Sequence, residues 1–182
     1  MENSQKNLII QSVKIGALFG LLGIAISLII YLLNINMLSI GFGIVFIIIN
    51  IGLSIVIFAY GMRYIRDKYF NGTISYLNKS IIGLIIGLVS GWLAGLFGIL
   101  LFTYYDPGFM EGQIDRFIIM LEEMGLDEAG VMKQEQRIRE SFTLTGQLKA
   151  MFIRTPIFAF ILSLIIAAFV KKQKTDNEST VL

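Results

Sequence analysis

The chain has 182 residues, 55% of them hydrophobic and 15% charged, with a net charge of +2. A soluble domain is ~25% charged; so small a net charge argues nothing about nucleic acid, and no nucleic-acid partner is expected. There is no cysteine and no histidine, which excludes disulfides, thiolate metal sites and cysteine nucleophiles and removes the commonest transition-metal ligand and general base.

Four apolar runs organise the chain, at residues 9–33, 38–62, 80–105 and 148–170. Each exceeds the ~20 residues that cross ~30 Å of hydrocarbon as a helix. The expected fold is all-α: a polytopic membrane protein, one domain over residues 1–182, with four transmembrane helices. The first run carries Lys14 near its start and is too long for a signal-peptide core. The NINM that follows offers no cleavage site, so this run is expected to be an uncleaved anchor. It contains Gly16, Gly20 and Gly23.

The second run has no charge and places Asn50 at its middle, with Gly52 and Ser54 nearby. A mid-membrane amide needs partners. It either lines a substrate or ion path or joins helices, a role worth ~0.6 kcal/mol on average. Pumps and secondary transporters usually keep ionisable groups in mid-membrane. None accompanies Asn50 in its run, which favours the joining role.

Between the second and third runs stand Arg63, Arg66, Lys68 and Lys79, against Asp67 alone. Lys6 and Lys14 flank the first run, and Lys171, Lys172 and Lys174 follow the last. Basic residues near helix ends stay cytoplasmic, so both termini are expected inside. Arg63 and Asp67 are four residues apart and can pair if the second helix continues past the membrane. Asn71-Gly72 supplies a tight turn. Interleaved with Tyr64, Tyr69 and Phe70, the basic residues suit anionic headgroups or an acidic partner at ~1 kcal/mol each. They equally suit a topology signal with an aromatic belt.

Residues 61–83 read GMRYIRDKYFNGTISYLNKSIIG. The stretch resembles the corresponding junction of domain of unknown function 4199, a family of small four-helix membrane proteins mostly of Bacteroidota. The matching positions are Gly61, Arg63, Arg66, Asp67, Gly72, Ile74, Ser75, Tyr76, Lys79 and Gly83; Tyr76 stands where phenylalanine is commoner. Asp106-Pro107 and the apolar last helix with its basic tail also resemble the family. The resemblance implies a multi-pass protein of the bacterial inner (cytoplasmic) membrane and brings no activity.

The third run contains Gly83, Gly87, Gly91 and Gly95, four residues apart. Glycine costs ~1 kcal/mol in a water-exposed helix. In lipid, apolar side chains gain little by meeting one another, and helix interfaces collect small residues that permit close approach. The first and third helices run in the same direction, and KIGALFGLLG resembles SIIGLIIGLVSG. The two glycine faces are therefore expected to meet in a parallel pair, the alternative being glycine contacts to the second or fourth helix. The two helical hairpins read as a degenerate repeat.

Residues 106–147 are expected outside, as a helical hairpin. Asp106-Pro107-Gly108 stops the third helix. Met110, Ile114, Phe117, Ile118, Leu121 and Met124 then recur at helical spacing. Gly125 ends that helix, and Asp127 caps a second over residues 128–142. Glu111, Asp115, Glu122, Glu123, Asp127 and Glu128 are oxygen donors of the kind that hold Ca²⁺ or Mg²⁺, but without EF-hand spacing they read as a solvated face, with no metal. The fourth run starts near residue 148, with Lys149 and Arg154 close to its start and snorkelling to headgroups, and with a kink at Pro156.

No nucleotide-binding loop, nucleophile elbow or zinc-protease motif is present, and no cofactor is implied. The expected function is non-catalytic: an accessory or assembly subunit in the lipid bilayer, associating with other integral membrane proteins or with itself. The alternative is a small channel or facilitator for an uncharged or lipidic solute, with Asn50 on the path. A lipid or envelope-stress sensor using the outer hairpin ranks below both.

Overall fold

The computed structural model describes residues 2–171; the expected basic tail lies outside them from Lys172 onward. The described chain is helical: α1 (Glu2–Leu32), α2 (Ile40–Tyr69), α3 (Tyr76–Ile99), α4 (Pro107–Glu123), α5 (Glu128–Phe142), α6 (Leu144–Lys149) and α7 (Thr155–Phe169). A π-helical turn, Leu100–Tyr105, prolongs α3, and another, Ala150–Arg154, joins α6 to α7. Four continuous helices are long and apolar enough to cross a membrane: Ser4–Leu32, Ile40–Tyr69, Tyr76–Tyr105 and Leu144–Phe169. This is an all-helical, four-span membrane protein.

Local chemistry sets the helix ends. The Oγ atoms of Ser39, Ser75 and Thr143 accept from the amides of Phe42, Asn78 and Gly146, capping α2, α3 and α6. Asn71 and Gly72 take φ of 48° and 78°, the left-handed turn between α2 and α3. Asp106 does more than stop the third helix. Its Oδ1 accepts from Phe109 N at 3.0 Å with Pro107 in the first turn, so α4 begins at once. Gly125, at φ 79°, closes α4, and Asp127 Oδ1 accepts from Gly130 N to open α5.

The turn at 150–154 has an identifiable cause. Thr155 N–H donates to Ala150 O, five residues back. Pro156 has no N–H to offer. Met151 O thus loses its donor within the helix, and Trp92 Nε1 of α3 donates to it at 3.1 Å. The chain's one tryptophan thereby satisfies a carbonyl that proline leaves open. The expected kink is a π-helical turn instead.

α3 stands at the centre, with α1 along one side and α7 along another. The core of Leu8, Phe58, Met62, Ile65, Ile82, Ile86, Leu162 and Ile166 fills the half of the bundle where α1 begins and α7 ends, here the terminal half. At the other end α4 and α5 dock on the bundle. Tyr31 donates to Asp106 Oδ2 at 2.9 Å, and Phe109 meets Tyr31 at a tilt, 5.1 Å between centroids, and stacks on Phe102 at 5.5 Å. Gln113 is fully buried; Nε2 donates to Ile35 O at 3.1 Å, and Oε1 accepts from Met37 N at 3.0 Å. Arg139 ties α5 to α4 through Glu111 at 2.6 Å and pairs with Glu135 on its own helix at 2.7 Å. Glu111 first, then Glu135, raises its pKa above the usual guanidinium value.

Candidate functional site

The two glycine sets do not meet each other. A β-carbon on Gly16 would lie 2.9 Å from Val89 Cβ, and one on Gly20 2.8 Å from a Leu93 methyl; Gly23 faces Ala94. α1 therefore presents its glycines to the larger side chains of α3, in parallel. The α3 glycines face α7, antiparallel: Gly83 opposes Ser163, Gly87 opposes Ala159, Gly91 opposes Thr155 and Gly95 opposes Met151. Three of these partners are small and share the four-residue spacing. That stripe, Thr155, Ala159 and Ser163, was visible in TPIFAFILS and explains the pairing, because close approach needs small residues on both helices. Gly61 likewise admits Ile86 of α3, whose Cδ1 lies 2.5 Å from where a β-carbon would stand.

One turn before Gly83, Lys79 continues the same line. Its Nζ donates to Ala167 O and Val170 O, both at 2.7 Å. Arg66 Nη1 donates to Lys171 O. Helix C-termini carry orphan carbonyls and a partial negative charge, and here two cations cover them. Arg66 also holds Asp67 in a fork, Nε–Oδ1 at 2.5 Å and Nη2–Oδ2 at 2.9 Å. The expected Arg63–Asp67 pair is thus not formed: Arg63 points outward, while Arg66 faces the α7 end. Lys68 Nζ donates to Tyr64 Oη at 3.0 Å and lies over the Tyr64 and Tyr69 rings.

In the hairpin half the helices enclose a cavity of about 460 Å³, with walls from all four spans. Its apolar lining includes Phe19, Ile26, Leu53 and Phe158; its polar lining includes Asn50, Ser54, Ser90, Thr155 and Arg154. The first half of α2 contributes no buried residue before Ser54, which leaves the space unfilled. Asn50 does not join helices here: Nδ2 donates to Phe46 O at 2.8 Å, on its own helix. Ser54, Ser90 and Thr155 also bond carbonyls of their own helices.

Arg154 also lines this cavity and is exposed. Its neighbour Thr155 opposes Gly91, midway along the span Tyr76–Tyr105. At ~1.5 Å per residue, Arg154 lies about 24 Å from Val170, so a ~30 Å hydrocarbon core that ends at Val170 leaves about 6 Å between Arg154 and its other edge, within reach of snorkelling. The span begins at Leu144 rather than near residue 148. Among the described residues the Arg154 side chain makes no ion pair or hydrogen bond. No group of three or more potential metal ligands forms there either.

A family model described as protein of unknown function (DUF4199) matches residues 14–172. No curated protein and no solved structure matches the chain.

Proposed function

We propose, for a chain that belongs to the DUF4199 family of proteins of unknown function, a non-catalytic role in the bacterial inner membrane: it holds a lipidic molecule in the four-helix cavity, as a carrier or small facilitator. The observation that carries this is the cavity itself, about 460 Å³ between all four spans, with Asn50 and Arg154 beside Phe19, Ile26, Leu53 and Phe158. Binding sites are concave, mostly apolar and carry a few polar groups. Both termini are cytoplasmic in this reading. The cations Arg66, Lys79 and Lys171 at the terminal end support that side, as does the acidic hairpin at the other.

Leu53→Trp tests it by filling the space. The wild-type chain, purified in mild detergent and weighed by native mass spectrometry, is expected to retain one lipid through delipidation. The variant is expected to lose it at an unchanged melting temperature. Equal retention by the two proteins would refute the cavity as the site.

A second reading, the accessory or assembly subunit, draws on α2. The glycine faces of α1 and α3 are taken up within the chain, but a β-carbon on Gly41, Gly43 or Gly52 would meet nothing within 4 Å. Such small positions suit a helix of another protein. The chain lacks cysteine, so Gly43→Cys gives a single crosslinking probe in native membranes. A single adduct of defined mass is expected in this reading; labelling by lipid-soluble reagents alone argues for lipid around α2.

A further inference from the structure

We infer that the cavity takes the acyl chain of a lipid whose headgroup is anionic, with the Arg154 guanidinium as the headgroup's partner. The inference rests on the lipidic-molecule reading above and adds the charge of the ligand.

The counter-charge for Arg154 has no source nearby in the described chain. Asp67 is forked by Arg66, Glu111 and Glu135 are held by Arg139, and Asp106 accepts from Tyr31. A second arginine-lined cavity, under the hairpin, contains Arg139 together with its own Glu111. The four-helix cavity contains Arg154 and no acid. Among the described residues no acid shares this cavity with Arg154, and an anionic ligand would supply the missing counter-charge. The guanidinium is suited to it, being always charged, planar and able to donate two parallel hydrogen bonds to one oxyanion group.

The surrounding walls say what carries that anion. Phe19, Ile26, Leu53 and Phe158 line the same space and suit hydrocarbon. Asn50 adds an amide beside them. The volume falls within the ~300–1,000 Å³ of small-ligand sites, room for one chain and not for a whole phospholipid. The cavity is partly open, so a second chain stays in the bilayer. With Arg154 about 6 Å from the far edge of a ~30 Å hydrocarbon core, its guanidinium reaches the headgroup layer by snorkelling, so a membrane lipid can seat its chain in the cavity and its headgroup on Arg154.

The test uses the full chain in nanodiscs of equal phosphatidylcholine and phosphatidylglycerol. Retained lipids are counted by native mass spectrometry after release. Wild type is expected to keep phosphatidylglycerol over phosphatidylcholine by about tenfold, the ratio that one charge-assisted contact of ~1.4 kcal/mol provides. Arg154→Gln is expected to keep a lipid and lose the preference; Arg154→Lys is expected to keep part of it. No preference in wild type overturns the inference without recourse to any variant, as does an undiminished preference in Arg154→Gln. Leu53→Trp separates the two levels. Wild-type lipid retention by that variant removes the cavity reading itself. Its loss of both lipids, with Arg154→Gln indistinguishable from wild type, removes only the anionic headgroup.

Discussion

Gly87→Ala is expected to destabilise the folded chain by ~1–3 kcal/mol, the range for forcing one group into a packed contact. A β-carbon there would stand 2.5 Å from Ala159 Cβ and 2.9 Å from Phe58 Cζ. Ala159 Cβ is fixed to the α7 backbone and cannot rotate away, and α7 is held in place by its own antiparallel register with Gly83 and Gly91. The new methyl separates α3 from α7 and loosens every contact along the stripe. In lipid those contacts are the main source of association, since apolar burial contributes little. Gly52→Ala and Gly98→Ala are the matched controls, because an added β-carbon meets nothing within 4 Å at either site. Unfolding by denaturing detergent, followed by circular dichroism, measures all three. Equal stability of Gly87→Ala and the controls would refute the assignment of α7 to this face.

The second large effect is expected at Gln113, in the hairpin. Gln113→Leu keeps the size of the side chain and removes both of its bonds, stranding Ile35 O and Met37 N in the loop between α1 and α2. Unpaired polar groups cost about 1–3 kcal/mol each when buried; with this loop half-buried, the expected total is ~2–3 kcal/mol. The loss falls on the attachment of α4 to the bundle. Amide hydrogen exchange over residues 107–123 is expected to quicken in the variant while α3 and α7 stay protected. Gln136→Leu, which breaks only the exposed bond to Glu140 at 2.9 Å, is expected to change neither stability nor exchange by a measurable amount. If both glutamine variants behave alike, the hairpin is held by its aromatic contacts and not by this amide.

The membrane-spanning helices were readable because uncharged runs of that length have few other uses, and Gly125-Leu126-Asp127 announced the hairpin through ordinary cap chemistry. Partners were harder to read. A glycine stripe says that something approaches closely but not which helix does so. The decisive clue lay in the matching small residues of the last span. Gln113 stood out in no pattern, since a glutamine in an amphipathic helix reads as polar surface until the loop it serves is in place. The start of the last span is read late, near residue 148, because α6 opens at Leu144 behind its Thr143 cap, among polar residues that no apolar run includes. The π-helical turn depended on a single donor, Trp92, from another helix, which no local propensity encodes.

A beam held at both ends is slackest between its supports. Lys79 and Arg66 fasten the end of α7 to α3 and α2, and the tightest packing lies beside them. At the other end Gln113 ties the loop that leads into α2, and Asp106 is tied to Tyr31. Between the two ties α2 buries nothing before Ser54. The cations and the amide that pin the ends of the bundle thus leave its thinnest wall in the first half of α2.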